Sequence, residues 1–343
     1  MRAKYKFLRR LSRESHKYNF HQFSIYLRIY IFLLLSLVQI LSFLYFHLGF
    51  SRNVNSNMRV NLHWTMPSRS DYYFQILRDR PDLSRYLFAL TFVRTPIQNP
   101  WFMFGNSDSD AGRRLFCFPY GGAGAGAFRS WKGATVGDWQ LCLVVPPGRE
   151  GRFREARYEA ITPLVDSLAE AILPFLDRPF AFFGHSVGAL TAFELARNLR
   201  RNGLQMPDHL FVSGRASPQV PLRVTNYHLR TGGDLVAALE AISRGSDRPA
   251  PDPAIVAAME PLLRSDFAIT ETYAYRNEGP FDQPVTAFGA RNDPTVGIDE
   301  IAAWQVQTTG AFALHLFDDG GHFFIDHYGQ AIVDCIAAEW KSP

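Results

Sequence analysis

The sequence is most constrained at residues 184–188, Gly-His-Ser-Val-Gly, which join an apolar run to a helical pattern. Residues 179–183 are predicted to form a buried strand, and apolar residues from 190 onward recur at helical spacing. A serine on so sharp a turn has a strained backbone, and side chains two residues to either side of it would collide. The spacing predicts a nucleophile elbow that lifts the Ser186 hydroxyl clear of a sheet. An ordinary glycine-rich turn remains the alternative for these five residues alone.

A second glycine-rich turn follows the apolar strand predicted at residues 114–120. Residues 121–126 are compatible with a phosphate-binding loop or with a loop that binds an oxyanion. A dinucleotide site also needs an acidic residue at the end of the next strand, and residues 139–147 supply none. We therefore expect the backbone N–H groups of Val187 and of the Gly121–Gly122 turn to stabilise an oxyanion.

The order of predicted elements defines the fold class. Strands are predicted at 209–214, 285–289 and 312–317, with a final helix over about 326–340. The repeated strand–helix–strand order predicts a doubly wound, mostly parallel sheet with helices on both faces. Helical patterns at 234–242 and 253–275 interrupt this order. We expect the insertion at about 215–284 to be a helical lid over the carboxyl ends of the strands.

A serine hydroxyl needs an adjacent base, and the base needs an orienting acid. Asp293 and His322 both lie in loops that follow predicted strands, and two glycines would let the His322 loop approach the serine. The predicted roles are Ser186 as nucleophile, His322 as general base and Asp293 as the residue that fixes the imidazole tautomer. Alternatives for these positions are His185, His315, His327, Asp318 and Asp319, of which His185 and His315 are expected to be structural.

Charge divides the chain into two unlike parts. Residues 1–63 contain ten Lys or Arg and one acidic residue, leaving 26 basic and 31 acidic residues in the remainder. The net charge of +4 and the pI near 9.0 therefore belong to one end of the chain. Because the body is mildly acidic, we reject a nucleic-acid partner.

Residues 29–50 form a run of 22 residues without Asp, Glu, Lys or Arg, which is long enough to cross a bilayer as a helix. Basic residues before it would hold the N-terminus in the cytoplasm. The break in composition after residue 63 is equally consistent with a start site assigned upstream of the true one. We expect residues 64–97 to be a connector.

The three cysteines, Cys117, Cys142 and Cys335, are odd in number and lack metal-ligand spacing. Two of them lie in apolar strand-like runs, which favours buried free thiols over disulfides. We expect neither a metal site nor a bound cofactor.

Five blocks occur in order over residues 98–343. They are Phe118-Pro-Tyr-Gly-Gly-Ala-Gly, Pro147-Gly-Arg149, Gly184-His-Ser-Val-Gly188, Gly289-Ala-Arg-Asn-Asp293 and Gly320-Gly-His322-Phe-Phe324. Together they resemble the type II thioesterases of non-ribosomal peptide and polyketide synthesis. The family often has alanine at the position of Gly121, and it lacks a counterpart of residues 1–97.

The resemblance implies an α/β-hydrolase fold with a helical lid. In this chain we expect the hydrophobic helix at 29–50 to precede that fold. It implies removal of aberrant acyl groups from the phosphopantetheine arm of carrier proteins, with Ser186, Asp293 and His322 at the family's triad positions. Carrier proteins are cytoplasmic partners, so we expect a cytoplasmic thioesterase. The alternatives are a membrane-anchored carboxylesterase or lipase acting on oxygen esters, and a hydrolase-fold module that only binds.

Overall fold

The computed structural model describes residues 99–104, 111–131, 139–221, 223 and 225–340. The predicted hydrophobic helix at 29–50 and the connector at 64–97 lie outside these residues. None of the helices within the described part is both long and apolar enough to span a membrane.

Within the described residues, seven strands form one sheet in the order β1-β3-β2-β4-β5-β6-β7, and only the pairing of β1 with β3 is antiparallel. The mostly parallel sheet is thus confirmed, and a short edge strand that the sequence analysis did not predict makes it mixed. The strands are β1 (Phe102–Phe104), β2 (Arg113–Phe118), β3 (Trp139–Val144), β4 (Phe180–His185), β5 (Leu210–Ser213), β6 (Val285–Ala290) and β7 (Phe312–Phe317).

Helices connect the strands and cover both faces of the sheet. The predicted final helix is wrong in one respect, because it is interrupted at Tyr328, whose ring stacks on Phe317 with centroids 4.3 Å apart. The α-helices are α1 (Ile161–Ile172), α2 (Val187–Arg201), α3 (Gly232–Ser243), α4 (Pro253–Glu271), α5 (Ile298–Ala302), α6 (Phe324–His327) and α7 (Gly329–Glu339). Short 3-10 helices include Ala125–Trp131 and Ala303–Gln307.

The core has two layers because successive strand residues point to opposite faces of the sheet. In β4, Phe180 and Phe182 pack with α1 and α2, whereas Ala181 and Phe183 pack with the 3-10 helix Ala125–Trp131 and with α7. All six residues of β4 are buried, as expected for a central parallel strand covered on both sides. Cys117 and Cys142 are buried in β2 and β3, and all three cysteines are free thiols, as predicted.

Helices α3 and α4 lie between β5 and β6, within the range of about 215–284 for which the sequence predicts a helical insertion. Helix α4 begins as its sequence predicts. The Asp252 carboxylate accepts a hydrogen bond from the Ala254 N–H at 2.7 Å, and Pro253 occupies the first turn, where no N–H is needed.

The elbow between β4 and α2 shows why glycine is required two residues to either side of Ser186. A Cβ atom on Gly184 would lie 2.3 Å from the Gly188 carbonyl oxygen, and one on Gly188 would lie 2.1 Å from the Phe118 carbonyl oxygen. Both contacts are with backbone atoms of packed elements, so neither neighbour is able to move aside cheaply. The collision inferred from the sequence is therefore present on both sides of the turn.

We expect Gly188→Ala to lower the free energy of unfolding by about 3 kcal/mol, because the new methyl group would separate α2 from β2. The matched control is Gly233→Ala, since a Cβ at Gly233 meets no atom within 4 Å. Urea unfolding of both variants measures the difference. Equal stability of the two variants would contradict this account of the elbow.

Candidate active site

Ser186 occupies the strained position that the motif predicts. Its φ of 57° and ψ of −120° are unusual for a residue with a side chain, and such strain typically costs about 1–3 kcal/mol. Its N–H donates to the Ser213 carbonyl at 2.8 Å, and its own carbonyl accepts from the Ala189 N–H at 3.0 Å. These bonds to β5 and to the first turn of α2 hold the strained residue in place.

His322 lies in the loop after β7, and its Nε2 is 3.1 Å from the Ser186 Oγ. The loop reaches the serine because Gly320 and Gly321 both adopt positive φ, at 92° and 56°. The Asn292 side-chain oxygen accepts the Gly321 N–H at 2.9 Å and so ties this loop to the one that follows β6.

Asp293 completes the chain of hydrogen bonds, with its Oδ2 2.9 Å from His322 Nδ1. Thr295 donates its N–H and its hydroxyl to the other carboxylate oxygen, at 2.8 Å and 2.7 Å. Burial raises the pKa of Asp293, but the adjacent His322 and the hydrogen bonds from Thr295 outweigh it, so that the pKa lies below its usual range. The carboxylate is therefore ionised at neutral pH, although its side chain is fully buried.

The structure thus brings together Ser186, His322 and Asp293 at the carboxyl ends of β4, β7 and β6. The rival residues are engaged elsewhere. His315 pairs with Glu339 at 2.5 Å, and Asp318 pairs with Arg291 at 3.1 Å. Asp319 accepts a hydrogen bond from the Tyr328 hydroxyl at 2.5 Å, and His327 lies 3.7 Å from Asp247.

His185 was expected only to pack, yet it supports the loop that carries His322. Its Nε2 is 2.9 Å from the His322 carbonyl oxygen, and its Nδ1 is 2.9 Å from the Ser213 hydroxyl. Because a carbonyl oxygen only accepts, Nε2 carries the proton and Nδ1 accepts from Ser213. Burial and the nearby His322 lower the pKa of His185 well below its usual value, so the ring is neutral.

A cavity of about 320 Å³ opens beside this constellation. Its lining includes Ser186, His322, Gly121 of the turn after β2, and residues of both inserted helices, such as Leu239, Leu263 and Phe267. At its edge the Arg248 guanidinium lies 3.6 Å from the centroid of the Phe323 ring and donates to the Tyr120 hydroxyl. The site therefore combines a serine hydrogen-bonded to a histidine with an adjoining cavity whose lining is largely apolar.

Comparison with known proteins identifies the class of enzyme. A family model described as a thioesterase domain matches residues 113–339, about two thirds of the chain. The chain belongs to the thioesterase family. It is a serine hydrolase of the α/β-hydrolase fold, and the resemblance inferred from the five sequence blocks is confirmed.

Thioesterases of biosynthetic pathways are among the similar proteins. The gramicidin S biosynthesis protein GrsT of Aneurinibacillus migulanus is 39% identical over 227 residues, 66% of this chain and 88% of that protein. The solved type II thioesterase BorB of the borrelidin cluster is 31% identical, with a TM-score of 0.65 over 69% of this chain and 96% of its own. RedJ, from the prodiginine pathway of Streptomyces coelicolor, is 32% identical, with a TM-score of 0.63 over 72% and 98%.

The turn after β2 corrects one part of the expected oxyanion site. The Gly122 N–H donates to the Asp266 Oδ2 at 2.7 Å, so it is committed to a carboxylate of α4. Gly121 and Val187 both line the cavity, and a Cβ on Gly121 would lie 4.0 Å from a Val187 methyl group. Because Val187 is the first residue of α2, its N–H has no partner within the helix. These two N–H groups remain the candidate donors.

Asp266 and Arg149 form a buried clamp that the sequence analysis did not identify. The Arg149 guanidinium makes two 2.9 Å contacts with the Asp266 carboxylate, and both side chains are less than a tenth exposed. Arg149 also donates to the Ala123 carbonyl at 2.9 Å. The clamp joins helix α4 to the glycine turn at Gly122, which contacts Asp266, and at Ala123, which contacts Arg149. Only the Pro147-Gly-Arg149 block could have indicated it.

We expect Asp266→Ala to destabilise this thioesterase by about 3–5 kcal/mol, because it leaves the Arg149 charge buried and unpaired. Adding Arg149→Met should recover part of the loss, with a coupling of about 1–3 kcal/mol in a double-mutant cycle of urea unfolding. The control cycle uses the exposed pair Arg291 and Asp318, for which we expect a coupling below about 1 kcal/mol. Additive effects at Arg149 and Asp266 would contradict the clamp.

Proposed function

We propose that this type II thioesterase hydrolyses acyl groups from the phosphopantetheine arm of carrier proteins through Ser186, His322 and Asp293. The observation that supports the proposal most directly is the imidazole of His322, which lies between the other two side chains at 3.1 Å and 2.9 Å. The lengths, burial and order of these contacts are those of a serine nucleophile with its base and orienting acid.

We propose one role for each of the three side chains, in keeping with their contacts. His322 Nε2 removes the hydroxyl proton as Ser186 Oγ attacks the thioester carbonyl. The tetrahedral intermediate collapses, the carrier sulfur leaves and His322 returns the proton to it. Water, deprotonated by the same imidazole, then attacks the acyl-serine, and the carboxylic acid departs as Ser186 regains its proton. Asp293 holds the Nδ1–H and stabilises the imidazolium formed in each half-reaction.

The negative oxygen of each intermediate would be bound by the N–H groups of Val187 and Gly121. Both groups are main-chain donors fixed before the substrate arrives, one by the start of α2 and one by the clamped glycine turn. Preorganised donors of this kind contribute roughly a hundredfold or more each to the rate. The positive end of α2 lies below the same position and acts in the same direction.

We assign helices α3 and α4 the role of a lid that forms one wall of the cavity and limits access of water to the acyl-enzyme. The apolar side chains Leu239, Leu263 and Phe267 contribute this wall. Acyl or peptidyl carrier proteins are the proposed partners, since GrsT is named for gramicidin S biosynthesis and BorB is a type II thioesterase of the borrelidin biosynthetic cluster. We place this activity in the cytoplasm, where such carriers act.

Asp293→Asn should lower kcat on an acetyl-carrier protein by about 10⁴-fold, because the amide stabilises neither the required tautomer nor the imidazolium. Ser186→Ala should lower kcat by about 10⁶-fold, to the residual rate that the oxyanion donors and substrate binding still supply. The matched control is Asp318→Asn, since Asp318 precedes the same glycine loop but is exposed and pairs with Arg291. The release of radiolabelled acetate measures all three. Equal activity of the two Asn variants would contradict the assignment of Asp293.

Hydrolysis of carrier thioesters should exceed that of a matched aryl ester in kcat/KM. The alternative, an esterase anchored through residues 29–50, requires the opposite preference together with membrane association of the full chain. Measuring kcat/KM for both substrates, with the full chain and with residues 98–343, distinguishes the two functions. A preference for the aryl ester would favour the esterase, and loss of Ser186 labelling by a fluorophosphonate would leave only a binding module.

A further inference from the structure

Arg215 lies in the cavity that contains Ser186 and His322, and neither the sequence motifs nor the catalytic chain accounts for it. It follows Gly214 at the carboxyl end of β5, the strand between those that lead to Ser186 and to Asp293. The Ser186 N–H bonds to Ser213, two residues before it. The Trp304 indole N–H donates to the Arg215 carbonyl at 2.9 Å and fixes its backbone.

The guanidinium of Arg215 has no counter-ion in the part of the chain that the structure describes. The residue is only 9% exposed, and its Nε is buried with no hydrogen-bond partner among those residues. Across the described residues, the other buried arginines each form an ion pair with a carboxylate, whereas Arg215 forms none. Those pairs are Arg114–Asp177, Arg149–Asp266, Arg152–Glu155 and Arg197–Glu194.

An unpaired buried cation is unfavourable to folding, because the interior replaces neither its hydration nor its missing counter-charge. Burial lowers the pKa of Arg215 to about 10, against the opposing effect of the Tyr273 phenol, so the group remains charged at neutral pH. The cost is compensated if an acceptor enters with the substrate. Since the cavity beside Ser186 is where the acyl group would lie, the acceptor belongs to that group.

We propose that Arg215 binds an oxygen of the acyl chain beyond the thioester carbonyl, so that the enzyme prefers oxygenated acyl groups over plain alkyl ones. The inference rests on the proposed function, because it places the acyl chain in the cavity next to Ser186. The common chemistry is a hydrogen-bond-accepting oxygen, as in a 3-oxo, 3-hydroxy or terminal carboxylate group. A site that offers a buried donor discriminates strongly against an analogue without the acceptor.

The test uses four pantetheine thioesters with chains of equal length, namely butyryl, 3-hydroxybutyryl, acetoacetyl and succinyl. The kcat/KM of each is measured for the full chain after subtraction of uncatalysed hydrolysis. We expect at least one oxygenated chain to exceed butyryl by about tenfold or more, and Arg215→Met to reduce that ratio to about one. The succinyl and acetoacetyl arms show whether the favoured oxygen is anionic or neutral.

Arg223→Met is the matched control, since Arg223 lines the same cavity but is exposed and pairs with Glu300 at 2.9 Å. The ratio should be unchanged in this variant. A wild-type enzyme that hydrolyses butyryl as well as the other chains would overturn the inference and leave the proposed function intact. An equal fall of kcat/KM on all four substrates in Arg215→Met would also overturn the inference. Absence of Ser186-dependent hydrolysis of every thioester would instead overturn the proposed function.

Thermal unfolding of Arg215→Met tests the inference independently of the kinetics. Because methionine replaces an unpaired buried charge by an apolar side chain, the midpoint temperature of unfolding should rise by about 2–4 °C for a chain of this size. We expect the midpoint to rise because the substitution removes an unfavourable buried charge and breaks no ion pair within the protein. A fall of the midpoint in Arg215→Met, with unchanged selectivity, would show that Arg215 is a structural residue.

Discussion

The contact between the backbone of α2 at Gly188 and the Phe118 carbonyl is the constraint on which the rest of the site depends. It allows α2 to begin close against β2, and Ser186 and Val187 at this start of the helix both line the cavity. Phe118 also ends the strand that leads into the glycine turn. One close approach therefore sets the distance between the nucleophile and both candidate oxyanion donors, and any side chain at Gly188 would separate them.

A second constraint acts from above the sheet. The Arg149–Asp266 pair connects helix α4 to the Gly122 N–H and the Ala123 carbonyl, so the inserted helix and the glycine turn cannot shift independently. Burying two charges is expensive, and a pair of this kind contributes little net stability compared with apolar residues of similar volume. Its bidentate geometry instead selects one relative position of the two segments. We infer that it positions the turn that contains Gly121, whose N–H is a candidate oxyanion donor.

The sequence predicted those parts of the site that depend on local backbone requirements. Ser186 and His322 could be found because each needs glycines beside it, and Asp293 because it follows a strand at the same sheet edge. Asp266 could not be found, since an acid within an amphipathic helix has no local mark of its partner 117 residues away. The same is true of Thr295 and of the neutral His185, whose roles arise only when separate loops meet. The interruption at Tyr328, whose ring stacks on Phe317 of β7, also had no mark in the local sequence.

Arg149 and Arg215 show that burial alone does not define the role of an arginine in this thioesterase. Both are less than a tenth exposed, and both lie in loops that follow the carboxyl end of a strand, β3 for Arg149 and β5 for Arg215. Arg149 satisfies its donors with a carboxylate and two carbonyl groups, so its charge is used within the fold. Arg215 has no such partner among the described residues, so its charge is available only to what enters the cavity. A protein retains an unfavourable buried group where the substrate compensates for it. The presence of a carboxylate partner therefore distinguishes Arg149, which maintains the site, from Arg215, which we propose binds the acyl chain.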